Sequence, residues 1–492
     1  MSQENALSPF QPRKFSEVET WDFEADVVII GFGGAGACAA IEASDAGADV
    51  LLLELASASG GSTALSSAEV YLGGSGGTRV QQACGYHDST EDMFNYLMLA
   101  GGDLADEARI RAYCDGSVDH FEWLVSMGVP YKDSEYKERA IMALTDDCLL
   151  FTGNEKCWPF EEVAKPCPRG HNLEIDGDNG GPLLMKILTE QVEKRGIRVE
   201  YNARALALIS DDENRVGGVV ARLDGREMQI RAQRGVILCS GGFVMNREML
   251  SQHCPQLLDD AMPIGNPGDT GSGIRMGQSV GAALIHMDSY FITLPYYPPS
   301  SLTHGIFVNQ QAQRFINEDC YHARIAYKIF EQLDQKAYLI VSAEDYEHPK
   351  FMNAPIVGTG ESIDELAEEV GLHPGMLSHT IEFYSEHAAR GEDPLFHKSA
   401  EWLKPMRAPY AALDCTPGEG AIFACFTLGG LHTRPGGEVL SSNAEVVRGL
   451  YAAGRTACGI PRSAAGYASG LSVGDATFFG RMAGLSAAAD QS

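Results

Sequence analysis

"EADVVIIGFGGAGACAAIEASDAGADVLLLE", residues 24–54, is the stretch that decides the fold. The apolar, largely β-branched run at 27–30 is typical of a strand buried on both faces of a parallel sheet. Gly31, Gly33 and Gly36 then fill a G-x-G-x-x-G pattern. The first glycine permits a tight turn, the second lets a pyrophosphate approach the backbone, and the third lets the following helix lie close to the strand. Gly34 and Ala35 open that helix, and small residues at Ala39, Ala40 and Ala43 suit close packing. A second strand at 50–53 ends in Glu54, where a carboxylate accepts ribose hydroxyls. Strand, turn, helix, strand and acid in register predict a dinucleotide site. A Gly-rich turn in an empty α/β unit needs no Glu54.

Outward from this unit, "LASASGGSTALSSAEVYLGG" (55–74) is a Gly/Ser-rich segment that a plain nicotinamide dehydrogenase does not use. It lets backbone amides come close to a flat ring. Far downstream, "RGLYAAGRTACGI" (448–460) predicts another strand ending in Ala-Gly-Arg. An N-terminal βαβ unit paired with a C-terminal "YAAGR" resembles flavoproteins that bind FAD in an extended form, so the chain leaves the nucleotide domain and returns to it.

Chain-wide properties agree. At 492 residues, two domains are expected. Hydrophobic residues make up 45% and charged ones 21%, a globular composition. A net charge of −30 repels phosphate backbones and anionic head groups, which argues against a nucleic-acid partner. No apolar run reaches the roughly 18 residues of a membrane span. The N-terminal "MSQENALSPFQPRKFSE" has no apolar signal core, so a cytoplasmic location is expected. Twelve cysteines at irregular spacings, with no C-x-x-C, read as buried thiols rather than disulfides or a metal site. The stretch 88–128 reads as amphipathic helix.

Six separated motifs, in order, resemble the fumarate reductase/succinate dehydrogenase flavoprotein superfamily over nearly the whole chain. They are "GGST" (60–63), "ILCSGGF" (237–243), "GDTGSGIRMGQSVGA" (268–282), "QRFINED" (313–319), "TLGGL" (427–431) and "RSAAGYASGLSVGDATFFGRMAG" (462–484). The resemblance implies an α/β, Rossmann-like FAD-binding domain built from residues 20–283 and 426–492. An α+β capping domain would be inserted at 284–425, with the substrate between cap and flavin. It implies cofactor contacts from the glycine turn and Glu54, from Leu55, Gly60, Gly61, Ser62, Thr63 and Ser66, and from Ala203. Ser240, Gly241, Gly242, Gly454, Arg455, Gly470, Leu471 and Ser472 complete that set. The segment after the first strand pair lacks the His that tethers flavin in respiratory members, so FAD is expected to be non-covalent.

Departures from the superfamily are more informative. Its dicarboxylate members place a His before the T-x-G-G turn; Phe426 stands here. Their Arg proton donor after R-F-x-N-E is replaced by a region containing Tyr321 and His322. Their carboxylate-gripping Arg in the terminal loop aligns with Tyr467. A dianionic substrate would lose its cations, and burying unpaired carboxylates is costly. Phenol, hydroxyl and amide instead suit a neutral ketone. "GYASGLS" and "RFINEDCY" resemble the bacterial 3-ketosteroid Δ4-(5α)-dehydrogenases. This branch implies hydride transfer from the steroid to flavin N5 and proton removal beside the ketone. Tyr467, helped by the Gly470 N–H, would face the ketone oxygen, and Ser469 and Tyr321 are the candidate bases.

Structural readings stand beside these. Tyr467 also reads as a buried phenol on a backbone carbonyl, Ser469 as a small packing residue, and His322 as an alternative to Tyr321. "YFITLPYYPPS" (290–300) either lines an apolar pocket or is core. His432 reads as structural. A Δ1-dehydrogenase, a reductase of another unsaturated carbonyl, an electron-passing subunit and a non-catalytic flavin binder are the competing functions. The electron acceptor is not encoded in any motif.

Overall fold

The computed structural model describes residues 10–418 and 420–490. Residues 1–9, on which part of the reading of the N-terminal stretch falls, lie outside the described residues. The strand predicted at 27–30 is longer, Phe23–Ile30, and runs parallel to Val50–Leu53 with Val27 opposite Val50 and Ile30 opposite Leu53. Arg198–Glu200 extends the parallel run beyond Val50–Leu53. On the other side come Arg226–Leu238 and then Val446–Ala452, also parallel. These strands belong to a nine-stranded sheet, which Val216–Leu223 and Arg204–Ser210 prolong antiparallel. The parallel strands therefore end side by side at Gly31, Glu54, Cys239 and Ala453. In open α/β sheets ligands bind outside this edge.

Both sheet faces are covered, which is why the strand sequences are continuously apolar rather than alternating. One face is closed by Gly34–Asp45 and the last helix, Leu471–Ala489. These two helices lie backbone to backbone. A Cβ on Gly484 would sit 3.0 Å from the Ala39 Cα, and one on Gly480 would meet the Ala35 carbonyl. The small residues of the terminal segment are thus partly a helix-packing requirement. The predicted helical stretch 88–128 forms two helices, Thr90–Gly101 and Glu107–Ser126, with a 3-10 turn at Gly102–Leu104 between them.

A second sheet, Ile306–Asn309, Ala337–Ser342, Tyr410–Asp414 and Ile356–Gly360, is antiparallel throughout. Ile306 and Val308 join Leu366, Leu377 and Ile381 in a core of its own, while Phe307 points to the main core. The alternation of strand side chains divides one strand between two cores. "QRFINED" fastens this region: Arg314 pairs with Glu318 at 2.8 Å and Asp393 at 2.9 Å, and Lys398 reaches Glu318 at 3.3 Å, all buried. All twelve cysteines are free thiols. Among the described residues no helix is long and apolar enough to cross a membrane, and no cluster is arranged to hold a metal ion.

Candidate active site

The glycine turn has the geometry its spacing predicts. Gly31 adopts φ +106°, a region that favours glycine, and a Cβ on Gly36 would overlap the Gly31 carbonyl oxygen. Gly33 differs: nothing lies nearer than 3.8 Å to where its Cβ would be, so that side of the turn is clear. Glu54 is buried, its Oε2 accepting the Phe32 N–H at 2.6 Å and its Oε1 the Ala56 N–H at 2.8 Å. A carboxylate offers about four acceptor sites, so two remain for a ribose. Thr63 Oγ1 accepts the Gly34 N–H at 3.1 Å, and the Gly60 N–H donates to the Phe32 carbonyl at 2.8 Å. The Gly/Ser segment is thereby held against the helix start.

Other expected contacts have protein partners of their own. Asp269 accepts from Ser62 Oγ at 2.6 Å and from the Arg455 guanidinium at 2.6 Å, joining three distant motifs. A Cβ on Gly241 would run into Asp269, and one on Gly242 would lie 2.7 Å from Thr427 Oγ1. Ser240 Oγ accepts the Gly273 N–H at 3.1 Å, the Ala203 N–H donates to the Glu54 carbonyl at 2.8 Å, and Ser66 Oγ donates to the Thr63 carbonyl at 2.8 Å. The Gly454 position faces Ala35, 3.0 Å from its Cβ, and the Leu55 side chain is exposed.

The terminal loop turns sharply at Gly470, whose φ of +89° caps the last helix. A Cβ there would lie 2.8 Å from the Tyr71 nitrogen, and the Gly470 carbonyl accepts the Tyr71 N–H at 3.1 Å. The Leu471 N–H donates to the Ala468 carbonyl at 3.2 Å, so that group is engaged within the turn.

Three hydroxyl-bearing residues expected to act together do meet. Tyr321 Oη and Ser469 Oγ are 2.6 Å apart, although 148 positions separate them. The Tyr467 ring lies beside Tyr321, centroids 6.3 Å apart, and its hydroxyl donates to Ser472 Oγ at 2.8 Å. Phe291 and Phe426 complete the wall. They are partners across antiparallel strands, their rings stacked at 4.5 Å, and Phe291 packs on Tyr467 at 4.4 Å. Phe291, Tyr296 and Tyr297, from the aromatic stretch 290–300, are all buried in the main core, and of these Phe291 is the one that packs on Tyr467. Burial pushes the Tyr467 phenol up to about 12, countered by its Ser472 bonds and Arg455. Burial pushes Tyr321 well above the usual phenol range too, with its Ser469 bond acting in the opposite direction. His322 lies against Tyr321 but bonds Thr293 through Nδ1, and burial with the nearby Arg139 keeps it neutral well below its usual range. His432 serves the backbone, its carbonyl accepting the Leu440 N–H at 2.8 Å.

Residues 26–469 match the FAD binding domain family. The chain belongs to this family. It is similar to a solved 3-ketosteroid-Δ4-(5α)-dehydrogenase from Rhodococcus jostii in complex with 4-androstene-3,17-dione. That likeness has 43% identity and a TM-score of 0.92, covering 97% of this chain and 100% of the other. It is also 27% identical to 3-oxo-5-alpha-steroid 4-dehydrogenase of Comamonas testosteroni, over 88% of this chain and 93% of that protein. Urocanate reductase of Eggerthella lenta is 28% identical, over 95% of this chain and 75% of that protein. The chain is therefore an FAD-dependent oxidoreductase of the fumarate reductase superfamily. The clear side of Gly33 and the unspent acceptor sites of Glu54 fit FAD.

Three groups at the site have no sequence signal of their own. Glu69 is buried in the Gly/Ser segment, burial pushing its carboxyl up to about 8. Asp269 belongs to the 268–282 motif, where nothing in the sequence gives it a role. Asn154, in an irregular loop, accepts the Tyr321 N–H at 2.9 Å.

Proposed function

We propose that this enzyme oxidises a 3-ketosteroid of the 5α series, introducing a C4–C5 double bond. The observation that carries the reading is the Tyr321–Ser469 pair at 2.6 Å beside Tyr467, inside a wall of Phe291 and Phe426. This lining suits an apolar ring system ending in a ketone. Bound FAD, held without a covalent link by the glycine turn, Glu54 and the terminal loop, supplies the hydride acceptor. The chain's own residues manage the proton. A hydrogen on C4 is acidified by the neighbouring ketone, and Tyr321, ionised and supported by Ser469, accepts it. Negative charge then builds on the ketone oxygen, where a fixed donor lowers the barrier. Tyr467 becomes that donor once Ser472 reverses its hydroxyl and donates to the phenol oxygen, which also favours charge on the phenol. Phe426, in place of an imidazole, adds apolar surface where a carboxylate partner would be needed.

The proposal takes 284–425 as the cap and the flanking segments, 20–283 and 426–492, as the FAD-binding domain, in a cytoplasmic enzyme. The independent antiparallel sheet and core of the inserted segment support that division. Mixing the oxidised enzyme anaerobically with a 5α-3-ketosteroid should bleach the flavin and yield the 4-ene product. Absence of bleaching with any 3-ketosteroid refutes the reading, and a 1-ene product replaces it with Δ1 chemistry. Flavin reoxidation by an unsaturated carboxylate instead would favour a reductase.

A further inference from the structure

Tyr321 follows a tight turn, 317–320, closed by the Cys320 N–H on the Asn317 carbonyl, and directly precedes the helix His322–Phe330. The polar backbone of that turn is held by two side chains from far upstream. Arg139 Nη1 donates to the Asp319 carbonyl at 2.6 Å, and its Nη2 donates to the Cys320 carbonyl at 2.6 Å. Asn154 Oδ1 accepts the next N–H, that of Tyr321, at 2.9 Å. The guanidinium is also placed over the Tyr297 ring, 4.1 Å from its centroid, and 5.6 Å from that of Trp402. Arg139 and Asn154 both lie in irregular loops, so packing of regular elements does not account for them.

Burying a guanidinium is costly unless its donors are satisfied, and while its Nε has no partner among the described residues, the Tyr297 face offers attraction. Here two of its donors are aimed at consecutive carbonyls, a use of the rigid planar fork that a lysine cannot reproduce. The turn lies in the proposed cap, Arg139 and Asn154 in the preceding segment, and Ser469 in the terminal loop. Three separate parts of the chain must be in place for the phenol to reach Ser469.

We propose that Arg139, together with Asn154, is a positioning residue that holds Tyr321 against Ser469. This rests on the reading of Tyr321 as the proton acceptor. A displacement near 1 Å at a reacting group costs roughly 10²-fold in rate, so loss of the fork should act on proton removal and not on steroid affinity.

The test is a double-mutant cycle of Arg139→Ala and Tyr321→Phe, read as the rate of flavin reduction at saturating 5α-3-ketosteroid, with steroid Kd taken from perturbation of the flavin spectrum. Expected are a fall of roughly 10²-fold for Arg139→Ala, a Kd within about threefold, and no further slowing when Arg139→Ala is added to Tyr321→Phe. Arg139→Lys should recover only part of the rate. Equal slowing in both backgrounds, or an effect smaller than about threefold, overturns the proposal. Asn154→Ala, judged by the same criteria, serves where Arg139→Ala does not fold. If the wild-type flavin is not reduced by any 3-ketosteroid, the functional reading fails, and positioning is still decided by hydrogen exchange. Peptides carrying the Tyr321 amide should exchange at least about tenfold faster in Arg139→Ala than in wild type. Unchanged exchange refutes the clamp.

Discussion

Replacing Tyr321 by Phe takes one oxygen out of the site and leaves the ring in place. Among the described residues that oxygen has one hydrogen-bond partner, Ser469 Oγ at 2.6 Å, and Tyr321 is 2% exposed. Ser469 is only half-buried and regains a partner in solvent, so the loss is that of one ordinary hydrogen bond, about 1 kcal/mol. For a chain this long that lowers Tm by no more than about 2–4 °C. The chemical loss is larger. A positioned proton acceptor contributes roughly 10²–10⁴ in rate, which is about 3–5 kcal/mol of barrier. Stability and rate should therefore separate cleanly. The phenol is pushed well above its usual range, so in the wild type the fraction ionised, and with it the rate of flavin reduction, should climb with pH from 7 to 9 toward about tenfold per unit. Anaerobic stopped-flow mixing with a saturating 5α-3-ketosteroid measures that rate. Tyr321→Phe should lose both the rate and its pH slope while retaining full flavin content. A variant within about threefold of wild type, or one that keeps the slope, refutes Tyr321 as the acceptor.

Tyr467→Phe should slow flavin reduction by roughly 10²–10³, the worth of one donor on a developing oxyanion; the same stopped-flow assay checks it, and a loss under threefold sinks the role. Gly36→Ala forces a methyl into the Gly31 carbonyl, so the protein should purify with flavin well below one per chain by its absorbance ratio. Glu69 has a folded pKa near 8 against 4.5 in the open chain, so its stabilising contribution is full below 4.5 and is lost as pH rises through 8. Glu69→Gln should remove this decline. Each pH unit between those two values is worth roughly 1.4 kcal/mol, so the variant should be at least about 2 kcal/mol more resistant to urea than wild type at pH 9. Parallel pH profiles for the two proteins would contradict that assignment.

The nucleotide half of the molecule is legible in the sequence because its signals are local. Gly31, Gly36 and Glu54 act within a single βαβ unit, and steric fit at each glycine translates directly into residue type. The terminal loop and the helix that follows it are legible for a different reason. Gly470, Gly480 and Gly484 each face backbone or a neighbouring helix, so the run of small residues records close approach, whichever partner causes it. The Gly480 and Gly484 positions answer to Ala35 and Ala39.

The candidate reacting groups are a different matter. Tyr321, Ser469 and Tyr467 are picked out by resemblance, and nothing periodic in the chain brings position 321 to position 469. Their meeting depends on long-range terms: a strand pair that sets Phe291 beside Phe426, a buried ion cluster around Arg314 that shapes the turn, and two loop side chains that hold it. None has a spacing rule, because each is a contact between segments whose separation is set by the whole topology. Exchanging charged carboxylate-binding side chains for phenol and phenyl is itself visible in one dimension, and on the proposed function it changes the substrate class without altering the fold. On the positioning role proposed above, holding the Tyr321 phenol 2.6 Å from Ser469 falls to Arg139 and Asn154, whose identities look arbitrary in the sequence. On the proposed function, specificity is therefore written in the aromatic side chains around Tyr467, and rate in the loops behind Tyr321.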